Sequence, residues 1–185
     1  LRRAADDLGA VAQADCVAGM TASQRYPGSS VVWVAFTVAV FAWGIGFYGP
    51  GVFLQTLHAT KGWPIATISA AITAHFLIGA VIVVFLPEVH RTVGLAQSTI
   101  LGAALTAFGI VSWSISASPS HLFAAAILSG SGWALTSGAA INAMIAPWFD
   151  KDRLKAISHA FNGASIGGVI FTPLLVAMIS QLGFP

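Results

Sequence analysis

The chain is 185 residues long, 57% hydrophobic and only 8% charged, with a formal net charge of +2. An ordinary soluble domain carries roughly 25% charged residues, and a globule of this size still exposes a large polar surface. That balance excludes a soluble domain and leaves an all-α integral membrane protein; nucleic acid is not an expected partner. The lone cysteine, Cys16, excludes an intramolecular disulfide and a thiolate metal cluster. No nucleotide-binding loop occurs, so there is no sign of ATP-driven transport; no cofactor and no metal are expected.

Lys, Arg, Asp and Glu are missing from residues 29–60, 62–87, 92–149 and 156–185, and a spanning helix needs about 20 apolar residues. Residues 1–30 come first. They have no apolar signal-peptide core, and their acids argue against a transit peptide. They read as a disordered cytoplasmic tail, of which 1–19, before Met20, alternatively lie outside the natural protein. The first span is predicted over 31–57 and contains a helix-loosening series, Gly44, Gly46 and Gly49-Pro50-Gly51. The second covers 64–86, opened by Trp63-Pro64, with proline tolerated in a first turn. The long uncharged interval breaks at "SASPSH", residues 116–121, giving spans of 94–115 and 122–147. The fifth covers 154–182. Trp33, Trp63, Trp113 and Trp148 fall at predicted span ends, as in an aromatic belt, while Trp43 and Trp133 fall within spans.

With the N-terminus inside, Arg2, Arg3, Arg25, Arg91, Lys151, Arg153 and Lys155 are cytoplasmic, and only Lys61 is outside. This positive-inside bias predicts a multi-pass protein of the cell (inner) membrane with a cytoplasmic N-terminus. Helices in lipid gain nothing from burying apolar faces against one another, so small residues must bring them together. The fifth span offers Gly163 and Gly167, with Ala164, Ser165 and Gly168 beside them. The fourth offers Gly130, Ala134 and Gly138 on one stripe. The expectation is that these two spans approach closely.

The run "APWFDKDRLKAISHAFNGASIGG", followed by "TPL", resembles the fourth-to-fifth helix region of the major facilitator superfamily. The likeness is to prokaryotic members related to the monocarboxylate and oxalate/formate carriers. It rests on Trp148-Phe149, the basic loop 151–155, Ala156, the Gly163-Ala164-Ser165-Ile166-Gly167 run and Pro173-Leu174. "GFYGPGVFLQTL" and "GWPIATISAAI" are similar to the same group, and the likeness covers residue 31 to the end. Two departures stand out. In "PEVHRTVGLA", Arg91 stands where the family's loop pattern has an acid, which leaves Arg91 to pair with Asp150 or Asp152. Gly168 rather than proline follows Gly167, so the antiporter pattern of helix five is unmet.

The resemblance implies five transmembrane helices of an incomplete six-helix N-terminal half of a major-facilitator fold. Its implied partners are a small-molecule substrate, with proton coupling as one option, the lipid bilayer and the missing C-terminal half of the carrier. A coding sequence continuing in frame beyond Pro185 with seven more apolar spans is the corresponding expectation. The implied function is secondary active transport of a small solute, an organic anion by analogy, through alternating access. Arg91, Asp150, Asp152 and Arg153 are the candidate cytoplasmic gate.

Polar groups in a bilayer are costly and face a cavity or a partner helix. The substrate-binding or cavity-lining candidates are therefore Tyr48, Gln55, His75, Trp133, Asn142, Asn162 and Ser165. His75 is the foremost, because it lies about 16 Å along the helix from the start of the second span and, apart from Lys155 at the very start of the fifth, no acidic or basic side chain lies in any span. It reads either as the group for pH-dependent chemistry or as a neutral ring bonded to a neighbouring helix. Two other function classes stand beside transport. One is a non-transporting scaffold or assembly subunit. The other is an intramembrane serine protease built on "SGSG", although Ser131 and His159 differ in depth by roughly 10 Å. No enzymatic activity is expected.

Overall fold

The computed structural model describes residues 28–182. Most of the expected tail, with Cys16, Met20 and the basic residues Arg2, Arg3 and Arg25, lies outside the described residues. Gly28, Ser29 and Ser30, read from sequence as the end of that tail, instead form the first turn of a helix. The elements are α1 (Gly28–Phe41), a π-helical segment (Ala42–Phe47), α2 (Gly49–Lys61), α3 (Ile65–Val93), α4 (Leu95–Ser114), α5 (Pro119–Leu135), α6 (Gly138–Ile145) with a 3-10 turn (Ala146–Trp148), and α7 (Arg153–Leu182). No strand occurs among the described residues. Five helical units are long and apolar enough to cross a membrane: Gly28–Lys61, Ile65–Val93, Leu95–Ser114, Pro119–Trp148 and Arg153–Gln181.

Local chemistry sets the breaks between crossings. Gly62, at φ 68°, takes the left-handed conformation that ends α2, and its N–H donates to the His58 carbonyl at 3.1 Å. Gly94 ends α3 in a different conformation, φ 90° and ψ 150°, that likewise favours glycine, and its N–H donates to the His90 carbonyl at 3.1 Å. Ser118 caps α5, its hydroxyl accepting from the His121 N–H at 3.3 Å, with Pro119 in the first turn. The break expected at 116–121 thus narrows to the residues before Pro119. The second crossing also runs past residue 86, through Pro87 to Val93. A proline here removes one helix hydrogen bond, which is tolerable at a wet helix end.

The outer surface is oily. Val84 and Val169 are 74% and 75% exposed, a distribution that water would penalise and lipid does not. The helices meet where side chains are smallest. A Cβ on Gly163 would strike the Phe36 carbonyl, one on Gly167 the Val40 carbonyl, and one on Gly44 the Phe171 ring. Contacts advance together along both chains, so α7 runs parallel to the first crossing. Gly130 similarly lies against the His75 carbonyl, and Gly79 against Trp133, so α5 runs parallel to α3. Gly102 meets Leu135 while Gly109 meets Ser129, so α4 runs antiparallel to α5. The crossings therefore form a trio (α3, α4, α5) and a pair (the first crossing and α7).

This corrects the expected partnership of small-residue faces. Gly163 and Gly167 pack on the first crossing, and Gly130 packs on the second, so the two stripes do not face each other. The fourth and fifth crossings do meet, but through α6: Gly138 touches the Phe161 ring, and Ile141, Met144 and Ile145 share a buried core with Ala156 and Ala160 of α7.

Adding one methyl group separates packing glycines from idle ones. Gly167→Ala is expected to destabilise the protein by about 1–3 kcal/mol. Gly51→Ala, where nothing lies within 4 Å, is expected to stabilise it by about 0.5–1 kcal/mol. Thermal unfolding in lipid nanodiscs reads both; equal shifts would contradict the packing described.

Candidate functional site

The first crossing changes its winding at its centre. Pro50 has no N–H to give the Gly46 carbonyl, and Gly44, Gly46 and Gly49 offer no Cβ to resist a wider turn. Residues 42–47 take up a π-helix, and the Tyr48 N–H reaches back five residues to the Trp43 carbonyl at 2.9 Å. π-Turns inside helices commonly mark functional sites. Here the turn lies in the middle of a 34-residue apolar helix.

His75, on α3, sits beside this segment and is fully buried. Its Nδ1 is 2.8 Å from the Ser129 hydroxyl on α5. The Trp113 indole N–H, on α4, donates to the same hydroxyl at 3.1 Å, and the Ser129 hydroxyl lies 3.2 Å from the Ala126 carbonyl. One serine oxygen thus joins three crossings. Its single proton goes either to Ala126, with Nδ1–H of His75 donating to the oxygen, or to Nδ1, which then accepts. Either way His75 Nε2 is buried without a hydrogen-bond partner. The Gly46 backbone approaches the ring without closing a bond on that nitrogen.

Aromatic rings pack against the His75 ring. The His75 ring lies 4.8 Å from Phe76 and 6.2 Å from Trp133, centre to centre. Phe47, the last residue of the π-segment, contacts Phe76 at 5.4 Å, Trp133 at 6.2 Å and Tyr48 at 5.1 Å. Trp133 Nε1 is likewise buried without a partner. Gly46 makes room for this ring, since a Cβ there would stand 2.8 Å from Trp133 Cδ1. Two unpaired polar atoms therefore share one apolar aromatic cluster, where each costs about 1–3 kcal/mol relative to a bonded state.

Of the candidates read from sequence, His75 and Trp133 meet in this cluster, while Tyr48 touches it through Phe47 and lays its ring over Gly168 of α7. Gln55 lies about two turns farther along α2, exposed. Asn142, on α6, is partly buried, with Oδ1 unpartnered. Asn162 and Ser165 are exposed on α7. The gate candidates separate as well. Arg91 pairs with Glu88 one turn back in its own helix, its Nε donating at 2.9 Å, rather than with Asp150 or Asp152. Asp152 pairs instead with Lys155 at 3.0 Å; Asp150 and Arg153 lie exposed beside them. The short i, i+3 spacing favours these local pairs. Among the described residues no group of three His, Cys, Asp or Glu side chains is placed to hold a metal.

Sequence reasoning missed Ser129, Trp113, Phe47 and Phe76 as members of the site. Ser131 drew the attention in "SGSG", yet its hydroxyl turns back to the Ile127 carbonyl at 2.7 Å. The usable signal was that Ser129 stands four residues before Trp133, on the helix face that Gly130 opens to α3.

Five such helices around a buried polar centre define the class as a multi-pass α-helical membrane protein. Comparisons with protein-family models, with curated proteins and with solved structures found no match.

Replacing Ser129 by Ala would strand both His75 Nδ1 and the Trp113 indole. A destabilisation of about 2–5 kcal/mol is expected. A double-mutant cycle with His75→Ala should show coupling of about 0.5–3 kcal/mol, whereas additive effects would mean that the two side chains do not interact.

Proposed function

We propose that the chain belongs to a secondary transporter that moves a small solute, of the organic-anion class, by alternating access. The observation that carries this reading is the irregular centre of the first crossing, set against the unpaired His75 Nε2 and Trp133 Nε1. Irregular backbone at membrane depth is tolerated only where protein buries it or a cavity meets it. Glycine- and proline-interrupted helices near the midplane are where transporters of several folds hold their cargo. The likeness to the major facilitator superfamily supports the same reading and supplies the anion class. On this reading the chain forms five helices of that superfamily's six-helix half, and the complete cavity needs the remainder of the carrier. The end bearing Arg91, Lys151, Arg153 and Lys155 faces the cytoplasm of a cell membrane. His75 holds the transported proton, as the imidazole within the aromatic cluster.

His75 and Ser129 also have the composition of a hydrolytic pair, which favours the protease reading at first sight. Its access is wrong. Ser129 is fully buried, and its oxygen is already engaged by an imidazole, an indole and a carbonyl. A serine-reactive fluorophosphonate should leave the protein unlabelled.

Proteoliposomes of the intact carrier test the proposal. Labelled small organic anions should accumulate under an imposed pH gradient, and His75→Gln should abolish that gradient dependence. Unchanged pH dependence in the variant would remove His75 from the mechanism. Absence of any uptake by the intact carrier would favour the scaffold reading.

A further inference from the structure

A second feature lies apart from the aromatic cluster. A groove of about 650 Å³ runs between the first turns of α1 and the first half of α7. Asp152, the residue just before α7, and Lys155, His159, Asn162 and Ile166 on α7 line it at three- and four-residue steps, so they form one stripe along the helix. That stripe covers about 21 Å and changes character along its length. Its start is charged, with Lys155 Nζ 3.0 Å from Asp152 and both side chains largely in the open. Its far end is apolar. The facing wall on α1 carries Trp33 and Phe36, whose rings meet edge to face at 5.5 Å, with Trp33 68% exposed.

This gradient has the shape of an amphiphile. A soluble anion would use the charged end and leave the tryptophan wall unfilled. An apolar helix would fill the wall and cover the charges. A phospholipid at the membrane interface satisfies both, because its phosphate and its acyl chains are separated in the same order. The charge pattern then selects the headgroup. Lys155 and His159 suit a phosphate, but Asp152 stands beside them and repels a purely anionic head. A primary ammonium supplies N–H donors that a carboxylate can accept; a quaternary ammonium has none. We propose that this groove binds a phospholipid with a primary-amine headgroup, its phosphate on Lys155 and His159, its ammonium on Asp152 and one acyl chain along Trp33, Phe36 and Ile166. This site does not depend on the chain being a transporter.

Native mass spectrometry of the full chain released from nanodiscs tests this, using phosphatidylethanolamine, phosphatidylcholine and phosphatidylglycerol with matched acyl chains. Phosphatidylethanolamine should be retained about three- to tenfold over phosphatidylcholine. Asp152→Asn should erase that preference, and Lys155→Gln should weaken all three lipids. Lys151→Gln, outside the groove, should leave the pattern intact. These positions are exposed, and circular dichroism verifies that each variant keeps its helices. Soluble glycerophosphoethanolamine, which lacks acyl chains, should fail to compete. Equal retention of the ethanolamine and choline lipids, a preference for phosphatidylglycerol, unaltered binding in both groove variants, or competition by the soluble headgroup would each overturn the proposal.

Discussion

Everything in the trio of α3, α4 and α5 depends on the closeness of α5 to its neighbours. Gly130 leaves no side chain between its helix and the His75 carbonyl, and Gly132 lies as near to Thr106. Only at that separation can one hydroxyl on α5 reach an imidazole on α3 and an indole on α4. In water such a contact would be one polar term beside a large apolar burial. In lipid the burial term vanishes between helices, and close packing with satisfied polar groups has to hold the bundle together. Ser129 is therefore a structural joint first. What distinguishes the joint from ordinary packing is that it holds the His75 ring with one nitrogen bonded and the other open.

The open nitrogen faces the least regular part of the bundle. A π-turn is wider than an α-turn and misaligns the carbonyls after it, so the first crossing can change its winding there at small cost. Its two halves are also held differently. α1 and the π-segment lie closely along α7 through Gly163, Gly167 and Gly44, whereas α2 lies beside the trio, with Phe53 stacked 6.0 Å from Trp113. The two packing groups are joined through this helix, whose midpoint is loosened, and through α6, whose Ile141, Met144 and Ile145 share a buried core with Ala35 and Ala39 of α1 and Ala156 and Ala160 of α7. A cavity-forming motion would concentrate its backbone change at residues 42–50, next to His75 and Trp133. The transport proposal draws its physical content from this arrangement as well as from the resemblance.

The five crossings were legible in the sequence because charge is the most expensive thing to put in a bilayer, and the charge-free intervals mark them directly. Their ends were legible where chemistry is local, as at Gly62, Gly94 and Ser118-Pro119. The partners of the helices were not. A stripe such as Gly163 and Gly167 says how near another helix can come and nothing about which helix it is, so the stripes of the fourth and fifth crossings were matched wrongly, although the two crossings do meet through α6. His75 stood out as an intramembrane titratable group, and Trp133 lies beside it. Ser129 was passed over because a lone serine in an apolar helix ordinarily bonds its own backbone, as Ser131 does. Arg91 was assigned a distant acid because the resemblance pointed to a gate, while Glu88 was available three residues away.

The joint itself is open to direct observation in a bilayer. In magic-angle-spinning NMR on the full chain, with ¹⁵N-labelled histidine and ¹³C-labelled serine, magnetisation should pass from a histidine ring nitrogen to a serine Cβ. Among the described residues, His75 and Ser129 are the histidine–serine pair in hydrogen-bond contact through their side chains. A cross peak that disappears in Ser129→Ala is the expected result. No transfer in the intact protein, or a peak that survives the substitution, would contradict the structure of the site and with it the place of His75 in transport.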